Sequence, residues 1–273
     1  MKYLTLNNGV KAPAFGFGTY LIDPSQTKET VLTAFNAGYR LIDTAQYYRN
    51  EKQVGEAFQA SGLNRHEVFI TTKTQTSGYK DTAAGIDASL LKSGLDYFDL
   101  ILIHWPMGDD LETWRAFEDA YKAGKARAIG ISNFNSRQTK ELIANSSVKP
   151  MVDQIETHIL LQQWKMHAFL QKEGIVHESY SPLGSGTQKL SASPVLQLIA
   201  RKYGKTPVQI ILRFLFQNDI MTIPRSTNPN HIKSNFDIFD FELDDEDIDA
   251  IKALDRREPI DGWPEAMRED EDY

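Results

Sequence analysis

Short apolar runs alternate with helical patterns along almost the whole chain, and this alternation restricts the possible folds more than any other feature. Several runs are nearly continuous in Val, Ile and Leu, which is typical of parallel strands buried on both faces. Eight runs are short enough to be strands: residues 15–20, 41–45, 68–73, 99–105, 126–133, 151–158, 174–182 and 220–226. Eight strand–helix units within 273 residues predict an α/β fold of the (β/α)8 TIM-barrel type.

No linker divides the chain, so we expect one barrel domain over residues 1–273. A doubly wound open sheet is the alternative, but it usually carries a glycine-rich turn after its first strand, and GFGTYL (16–21) does not match that turn. Near the N-terminus, Asn8-Gly9 lies between two alternating segments and predicts a β-hairpin before the barrel. Because a closed barrel has no free sheet edge, we expect a monomer.

Composition excludes several classes of function. The net charge of −7 argues against a nucleic-acid-binding protein, because phosphate-backbone affinity depends on clustered Lys and Arg. The chain has no cysteine, which excludes disulfides and thiolate-ligated metals. No apolar run approaches the roughly 20 residues that span a bilayer. These features predict a cytoplasmic protein that does not associate with a membrane.

The stretch GYRLIDTAQYYRNEKQVGE (38–56) reads as a strand, a loop and an amphipathic helix. Asn50 at the helix start, followed three residues later by Gln53, predicts an N-terminal capping box. Asp43 ends the strand and Tyr48 lies in the loop, where α/β proteins place reactive residues. Both residues are therefore candidates for the active site.

The next two predicted strands end in further polar residues, Lys73 and His104. Taken singly, each candidate has a simpler explanation: a turn cap, a surface aromatic, a solvated lysine or a hydrogen-bonded core histidine. A barrel, however, brings the carboxyl ends of its strands together at one face. We therefore expect Asp43, Tyr48, Lys73 and His104 to form one catalytic group without a metal.

These four side chains suit protonation of a carbonyl oxygen. An ammonium near a phenol stabilises the phenolate and lowers the phenol pKa from its ordinary value near 10. Lys73 can supply that charge, Asp43 can hold the lysine, and His104 can donate a hydrogen bond to the substrate oxygen. Because the group contains no conventional nucleophile, the carbon must be attacked by a hydride from a bound cofactor.

Ordered motifs along the chain resemble those of the aldo-keto reductases. They are GYRLIDTAQYYRNEKQVGEA, FITTK, DLILIHWP, AIGISNF, QIETH, SYSPLG and IPRS. The resemblance covers nearly the whole chain and implies a (β/α)8 barrel that reduces aldehydes and ketones with NAD(P)H. It implies that Tyr48 is the proton donor, that Asp43 and Lys73 tune it, and that His104 orients the carbonyl. Tyr47 is the rival donor, and the family spacing of five residues from the aspartate selects Tyr48.

The same resemblance implies a cofactor site. Ser132, Asn133 and Gln154 match positions that bind the nicotinamide carboxamide, Tyr180 matches the aromatic that stacks on the ring, and SPLGSG (181–186) resembles the segment that covers the pyrophosphate. The cofactor-binding residues that we expect are Thr19, Asp43, Ser132, Asn133, Gln154, Tyr180, Ser181, Leu183, Ser185, Arg225, Ser226, His231 and Asn235.

Cofactor choice depends on the last of these segments. Family members usually carry Lys-Ser after the proline of the eighth strand and an arginine five residues after the serine, whereas this chain has Arg225-Ser226 and His231. Arg225 can contact a 2′-phosphate, but a largely neutral histidine cannot replace an arginine's permanent charge. The prediction is NADPH binding with weakened discrimination, so that NADH is also accepted.

The resemblance implies that the substrate is a small-molecule carbonyl compound. The expected pocket residues, besides His104, are Tyr20, Tyr47, Trp105, Met107 and Trp263. Gln75 stands where the family commonly has a tryptophan, and Thr157 and Ile159 replace the usual Tyr and Pro. The short C-terminal stretch suggests an open pocket for small or aromatic aldehydes, dicarbonyls or keto-sugars.

Two alternative functions remain open. Relatives of this fold serve as channel-associated or structural proteins, so a nicotinamide-binding scaffold or redox sensor is one alternative. An unrelated barrel enzyme with metal-assisted chemistry is the other, although clustered carboxylate and histidine ligands are scarce. Loss of nicotinamide absorbance with an aldehyde panel distinguishes a reductase from both.

Overall fold

The structure, a computed structural model, describes residues 2–186 and 188–261. Its centre is a parallel sheet of eight strands, in which each strand pairs with the next along the chain. The predicted (β/α)8 architecture is therefore confirmed. The strands are β3 (Phe17–Gly18), β4 (Leu41–Asp43), β5 (Phe69–Thr74), β6 (Leu100–Ile103), β7 (Ile129–Ser132), β8 (Val152–Glu156), β9 (Val176–Tyr180) and β10 (Met221–Thr222).

Backbone hydrogen bonds join the first and last strands of the sheet and nearly close the barrel. The Gly16 amide donates to the Thr222 carbonyl at 2.9 Å, and the Gly18 amide donates to the Pro224 carbonyl at 3.1 Å. A side chain at Gly16 would meet Leu41, since an added Cβ would lie 2.3 Å from its Cδ2 atom. Glycine at this position therefore permits the close packing of β3 against the Leu41 side chain of β4.

Helices connect the strands and cover the outside of the barrel. They are α1 (Pro24–Ala37), α2 (Glu51–Ala60), α3 (Tyr79–Ser93), α4 (Asp110–Lys122), α5 (Ser136–Ala144), α6 (Trp164–Glu173), α7 (Gln188–Ser191), α8 (Pro194–Tyr203), α9 (Pro207–Gln217), α10 (Pro229–Phe236) and α11 (Asp245–Lys252). Short 3-10 turns lie at Gln46–Tyr48, Arg65–Glu67 and Gly184–Gly186. In residues 2–186 and 188–261, no helix combines the length and apolar character that crossing a membrane requires.

The predicted hairpin is present and lies at the amino-terminal end of the barrel. Strands β1 (Tyr3–Thr5) and β2 (Lys11–Pro13) pair antiparallel. The side-chain amides of Asn7 and Asn8 donate to the carbonyls of Pro150 and Arg127, which precede β8 and β7. Leu6 is buried in the core. The hairpin therefore covers the barrel end opposite to the ends of the strands that carry the candidate catalytic residues.

The predicted capping box at α2 is wrong. Asn50 occupies the N-cap position, but its side chain makes no capping hydrogen bond. Its amide instead accepts from the Thr44 hydroxyl at 2.7 Å and donates to the Thr19 carbonyl at 3.1 Å. A local cap was therefore replaced by tertiary hydrogen bonds that tie the end of β3 to the end of β4, directly beside Asp43.

Candidate active site

A cavity of about 430 Å³ opens at the carboxyl ends of the barrel strands. Its volume suits a small-molecule ligand, for which pockets of roughly 300–1,000 Å³ are typical. Residues from all eight strands of the barrel or from the loops that follow them line this cavity. They are Gly18, Tyr20, Asp43, Tyr47, Tyr48, Gln75, His104, Trp105, Ser132, Asn133, Gln154, Tyr180, Ser181, Pro182, Leu183, Ser185, Ile223, Pro224, Arg225 and Asp261.

Lys73 connects the polar groups at the bottom of the cavity. Its ammonium donates to the Asp43 carboxylate at 2.5 Å, to the Thr44 carbonyl at 3.2 Å and to the Tyr48 phenol oxygen at 3.2 Å. Lys73 and Asp43 are almost fully buried. The three side chains that the sequence predicted to act together therefore form one continuous hydrogen-bonded chain.

The pKa of Tyr48 differs from the expectation. Burial raises the pKa of the phenol to about 12, and the nearby Asp43 charge adds to this rise. Lys73 acts in the expected direction and lowers the Tyr48 pKa, but burial outweighs it. Burial would lower the pKa of Lys73 itself, yet the neighbouring Asp43 and Tyr48 raise it. Tyr48 is thus a protonated phenol beside a stable ammonium.

His104 lies beside Tyr48 at the wall of the cavity, with the two ring centroids 5.7 Å apart. Burial, assisted by the Lys73 charge, lowers the pKa of His104 to about 3. The imidazole is therefore neutral at physiological pH, with one N–H donor and one acceptor nitrogen. The Asn133 amide donates to the His104 carbonyl at 2.9 Å and fixes the backbone of this residue.

Four further predicted residues form a connected polar wall. The Ser132 hydroxyl donates to the Gln154 carbonyl at 2.7 Å, and the Gln154 amide donates to the Asp43 carboxylate at 2.9 Å. Asn133 has a left-handed backbone with φ of 66°, and its side-chain oxygen accepts from the Tyr180 hydroxyl at 3.0 Å. The Tyr180 ring is therefore held by its hydroxyl while it lines the cavity.

The loop after β9 contains an anion-binding pair of hydroxyls. Ser185 donates to the Asp261 carboxylate at 2.6 Å, and Ser181 donates to the second oxygen of the same carboxylate. Leu183 lines the cavity between them. Because these hydroxyls hold a carboxylate, the same donors suit a phosphate oxygen. A phosphate group of a cofactor would therefore replace the Asp261 carboxylate at these two hydroxyls.

The remaining cofactor candidates lie at different depths around the cavity. Arg225 lines it directly, whereas the Ser226 hydroxyl accepts the Asn228 amide at the start of α10. Asn228 and the proline after it begin this helix. The Asn228 side chain also accepts from the amide of His231, which is exposed. Asn235, also on α10, is buried. Thr19 does not line the cavity. Its hydroxyl is buried and donates to the Asp43 carbonyl at 2.9 Å.

Exposed aromatic side chains surround the mouth of the cavity. Tyr20, Tyr47 and Trp105 all line it and are 42%, 54% and 37% exposed. Met107 is also exposed but does not line the cavity. Trp263, the other predicted pocket residue, lies outside the described residues.

Sequence reasoning missed two acidic residues near this site. Asp261 contacts the serine loop from a segment that has no strand or helix pattern, so only the tertiary structure reveals it. Glu178 is fully buried on β9, within a run that reads simply as a buried strand. Its period-two spacing from Tyr180 was the available signal, since both then face the barrel interior. Across the part of the chain that the structure describes, no cluster of three or more His, Cys, Asp or Glu residues could hold a metal ion.

Comparisons with known proteins agree with this architecture. The model of the Aldo/keto reductase family matches residues 14–256. Glyoxal reductase of Bacillus subtilis is 43% identical over 266 residues, which cover 96% of each chain. An aldo-keto reductase from a Medee basin deep-sea metagenome library has a TM-score of 0.92 at 41% identity, over 94% of this chain and 98% of its own.

A second solved structure was determined with a nucleotide. It is an aldo-keto reductase of Bombyx mori in complex with NADP, with a TM-score of 0.90 at 36% identity, over 95% of this chain and 94% of its own. The family match and these full-length similarities establish the class of protein. The chain belongs to the aldo-keto reductase family of oxidoreductases.

Proposed function

We propose that this protein reduces aldehydes and ketones to alcohols, with NADPH as its preferred cofactor and Tyr48 as the proton donor. The observation that carries this proposal is the buried Lys73 ammonium, which contacts both the Asp43 carboxylate and the Tyr48 phenol at the bottom of the cavity. NADPH, when bound, supplies the hydride for the carbonyl carbon. The protein must then supply a proton to the carbonyl oxygen.

Tyr48 is suited to give that proton. Its oxygen accepts a hydrogen bond from Lys73, so its own O–H remains a donor toward the substrate. The high pKa of the phenol keeps it protonated before the reaction, and the adjacent ammonium stabilises the phenolate that forms when the proton leaves. Tyr47 is less suited to this role, because it is 54% exposed and the hydrogen bond from Lys73 goes to Tyr48.

His104 acts on the same oxygen as a neutral donor. An imidazole with a pKa of about 3 does not compete with Tyr48 as an acid, but its N–H can orient a carbonyl. Asp43 keeps Lys73 charged and in place. The chemistry therefore requires no metal ion, and each of the four side chains has a distinct task.

Different residues would hold different parts of the cofactor. Ser132, Asn133 and Gln154 would hold the carboxamide and Tyr180 the nicotinamide ring, since all four line the same wall of the cavity. Ser181 and Ser185 would hold the pyrophosphate, and Arg225 the 2′-phosphate. Thr19 would support this site from beneath through its hydrogen bond to Asp43. Leu183, Ser226, His231 and Asn235 complete the nucleotide end of the proposed site.

The substrate is proposed to be a small carbonyl compound, such as a dicarbonyl or an aromatic aldehyde. The mouth is open and bordered by Tyr20, Tyr47 and Trp105, and Gln75 adds an amide to its lining. The similarity to a glyoxal reductase supports dicarbonyls in particular. A mouth lined by aromatic rings and one amide selects substrates by their shape and polarity, so we expect several carbonyl compounds to be accepted rather than one.

Cofactor choice can be tested at His231, which is exposed on α10. We expect the native protein to use NADPH efficiently and NADH measurably. His231→Arg adds a permanent charge near the 2′-phosphate, so the preference for NADPH should rise about 10-fold, the effect of roughly 1.4 kcal/mol. The ratio of kcat/KM for the two cofactors is the measurement. Undetectable NADH turnover in the native protein would show that discrimination is not weakened.

The activity itself is tested by following nicotinamide absorbance with a panel of aldehydes and dicarbonyls. A reductase consumes NADPH only when a carbonyl compound is present and is insensitive to chelators. A scaffold or sensor would bind NADPH without turnover, and that result would contradict the proposal. A rate that depends on added metal would also contradict it.

A further inference from the structure

A buried acid in the barrel interior has no part in the proposed reaction. Glu178 lies on β9, is fully buried, and is opposite Gln154 of β8 and Met221 of β10 in the strand register. Neither of its carboxyl oxygens has a hydrogen bond of standard geometry within the described residues. Burying a carboxyl without a firm partner is costly, so this residue requires an explanation.

Glu178 belongs electrostatically to the group beneath the cavity. The charges of Asp43 on β4 and Lys73 on β5 both act on it, as does the polar side chain of Gln154. The other neighbouring strand, β10, places Met221 opposite it. Asp43, Lys73 and Glu178 therefore form a group of two carboxyls and one ammonium. With Asp43 ionised and Lys73 protonated, the net charge of these three groups is zero when Glu178 is protonated and −1 when it is ionised.

Burial, assisted by the Asp43 charge, raises the pKa of Glu178 to about 8. The groups above it change charge elsewhere on the pH scale, because the pKa values of Tyr48 and His104 are about 12 and about 3. Lys73 is held as an ammonium, and burial raises the pKa of Tyr180 well above its ordinary value. Of these groups, Glu178 is the one whose charge changes between pH 7 and 9.

We propose that Glu178 is a positioning residue whose charge sets the relative affinity of this site for oxidised and reduced nicotinamide. The inference rests on the proposed nicotinamide cofactor. The oxidised ring is positively charged and the reduced ring is neutral, so a carboxylate that interacts with Asp43 and Lys73 favours the oxidised form. When Glu178 ionises, its proton passes to solvent and no covalent bond to the cofactor changes. Alkaline pH thereby strengthens the binding of NADP+ relative to that of NADPH.

The test compares dissociation constants for NADP+ and NADPH, measured by quenching of protein fluorescence between pH 6.5 and 9.5. We expect the ratio Kd(NADPH)/Kd(NADP+) to rise by about 3- to 10-fold with a midpoint near pH 8 in the native protein. Arg225 and His231 would meet the part of the nucleotide that both forms share, so their contributions to affinity cancel in this ratio. The ratio should be flat in Glu178→Gln, which keeps the shape of the side chain but cannot ionise.

The matched control is Glu118→Gln, which changes another buried glutamate on α4 whose carboxylate accepts the backbone amides of Ser147 and Val148. This control should keep the native pH dependence. If Glu178 had a purely structural role, its substitution would change the affinities for NADP+ and NADPH equally, and the ratio of the two dissociation constants would still change near pH 8. The inference is overturned if Glu178→Gln keeps the native change of Kd(NADPH)/Kd(NADP+) with pH. It is also overturned, without any variant, if this ratio does not change with pH in the native protein.

Thermal unfolding gives an independent readout. The folded protein holds Glu178 protonated up to about pH 8, whereas the unfolded chain ionises it near pH 4.3. Its contribution to stability is therefore complete below the unfolded pKa and is lost as pH rises through the folded pKa. Relative to the native protein, Glu178→Gln should gain thermal stability from pH 5 to 8. A constant difference in Tm over this range would overturn the assignment.

Failure of the inference is distinct from failure of the proposed function. If neither nucleotide binds the native protein, the cofactor proposal itself is wrong. If both bind with a ratio that does not change with pH, the cofactor proposal stands and the role of Glu178 is excluded.

Discussion

At the scale of single residues, Lys73 determines the electrostatics of the site. It is completely buried, and its ammonium is shared between a carboxylate, a carbonyl and a phenol. A buried ion pair of this kind seldom adds net stability, because desolvation offsets much of the attraction. Its presence beneath a cavity therefore suggests that the charge is maintained for chemistry rather than for folding.

Removing the charges of this pair separately and together tests that suggestion. Lys73→Met leaves the Asp43 carboxylate buried without its counter-charge, so we expect a stability loss of about 3–5 kcal/mol and loss of reductase activity. Adding Asp43→Asn removes the unpaired charge and should restore most of the stability without restoring activity. Chemical denaturation and steady-state rates measure the two effects. A double variant as unstable as Lys73→Met would show that the pair is structural.

Sequence reasoning at this scale succeeded for residue positions and failed for energetics. Asp43, Tyr48, Lys73 and His104 were predicted to meet because strand ends converge in a barrel, and they do. The direction of the Tyr48 pKa was missed, because the cost of burial depends on the depth of the cavity floor. That depth is a property of the packed structure and is not encoded in a local motif.

At the scale of secondary-structure elements, Asn50 connects two strand ends. Its side chain bonds to Thr19 after β3 and to Thr44 after β4, on both sides of the backbone that carries Asp43. The local signature of a capping box is present in the sequence, but the Asn50 side chain bonds to tertiary partners and does not cap the helix. Buried carbonyls need donors, and the Thr19 carbonyl accepts from both the Asn50 side-chain amide and the Ile22 backbone amide.

Asn50→Asp tests this connection with minimal change of shape. The new carboxylate oxygen would face the Thr19 carbonyl in place of an N–H donor, so we expect a loss of about 1–3 kcal/mol of stability. Displacement of the β4 end should also lower kcat. The control is Asn145→Asp at the exposed C-cap of α5. Equal effects of the two substitutions on Tm and kcat would contradict the proposed role.

Elements themselves were predictable where their signals are local. Buried strands are continuous apolar runs, and Asn8-Gly9 forms its turn with Gly9 at φ of 85°. Contacts such as Ser185 with Asp261 join residues far apart in the chain, and no pattern in either segment marks them. Glu178 was missed for the related reason that its neighbours Asp43 and Lys73 come from other strands.

At the scale of the whole molecule, the two ends of the barrel have different tasks. The hairpin covers the amino-terminal end, where Leu6 is only 2% exposed and packs in the core. The cavity opens at the carboxyl-terminal end. Substitutions at the covered end should therefore affect stability without affecting catalysis. This separation follows from parallel strands that all point the same way.

Leu6→Ala tests the separation. Loss of the buried side chain should cost about 2–4 kcal/mol through lost burial and cavity formation, while kcat/KM well below Tm stays at the native value. Leu91→Ala, at a leucine that is 84% exposed, is the control and should leave Tm unchanged. A fall in kcat/KM for Leu6→Ala at a temperature where the variant is folded would show that the two ends are coupled.

In the proposed reaction, Tyr48 gives its proton to the carbonyl oxygen. The most direct test compares the single-turnover rate of aldehyde reduction by bound NADPH in the native protein, Tyr48→Phe and Tyr47→Phe. Loss of a general acid lowers the rate about 10²- to 10⁴-fold. Tyr48→Phe should therefore reduce the aldehyde at least about 10²-fold more slowly, with its affinity for NADPH retained. Tyr47→Phe should stay within a few-fold of the native rate. Reduction by Tyr48→Phe at the native rate would contradict the assignment.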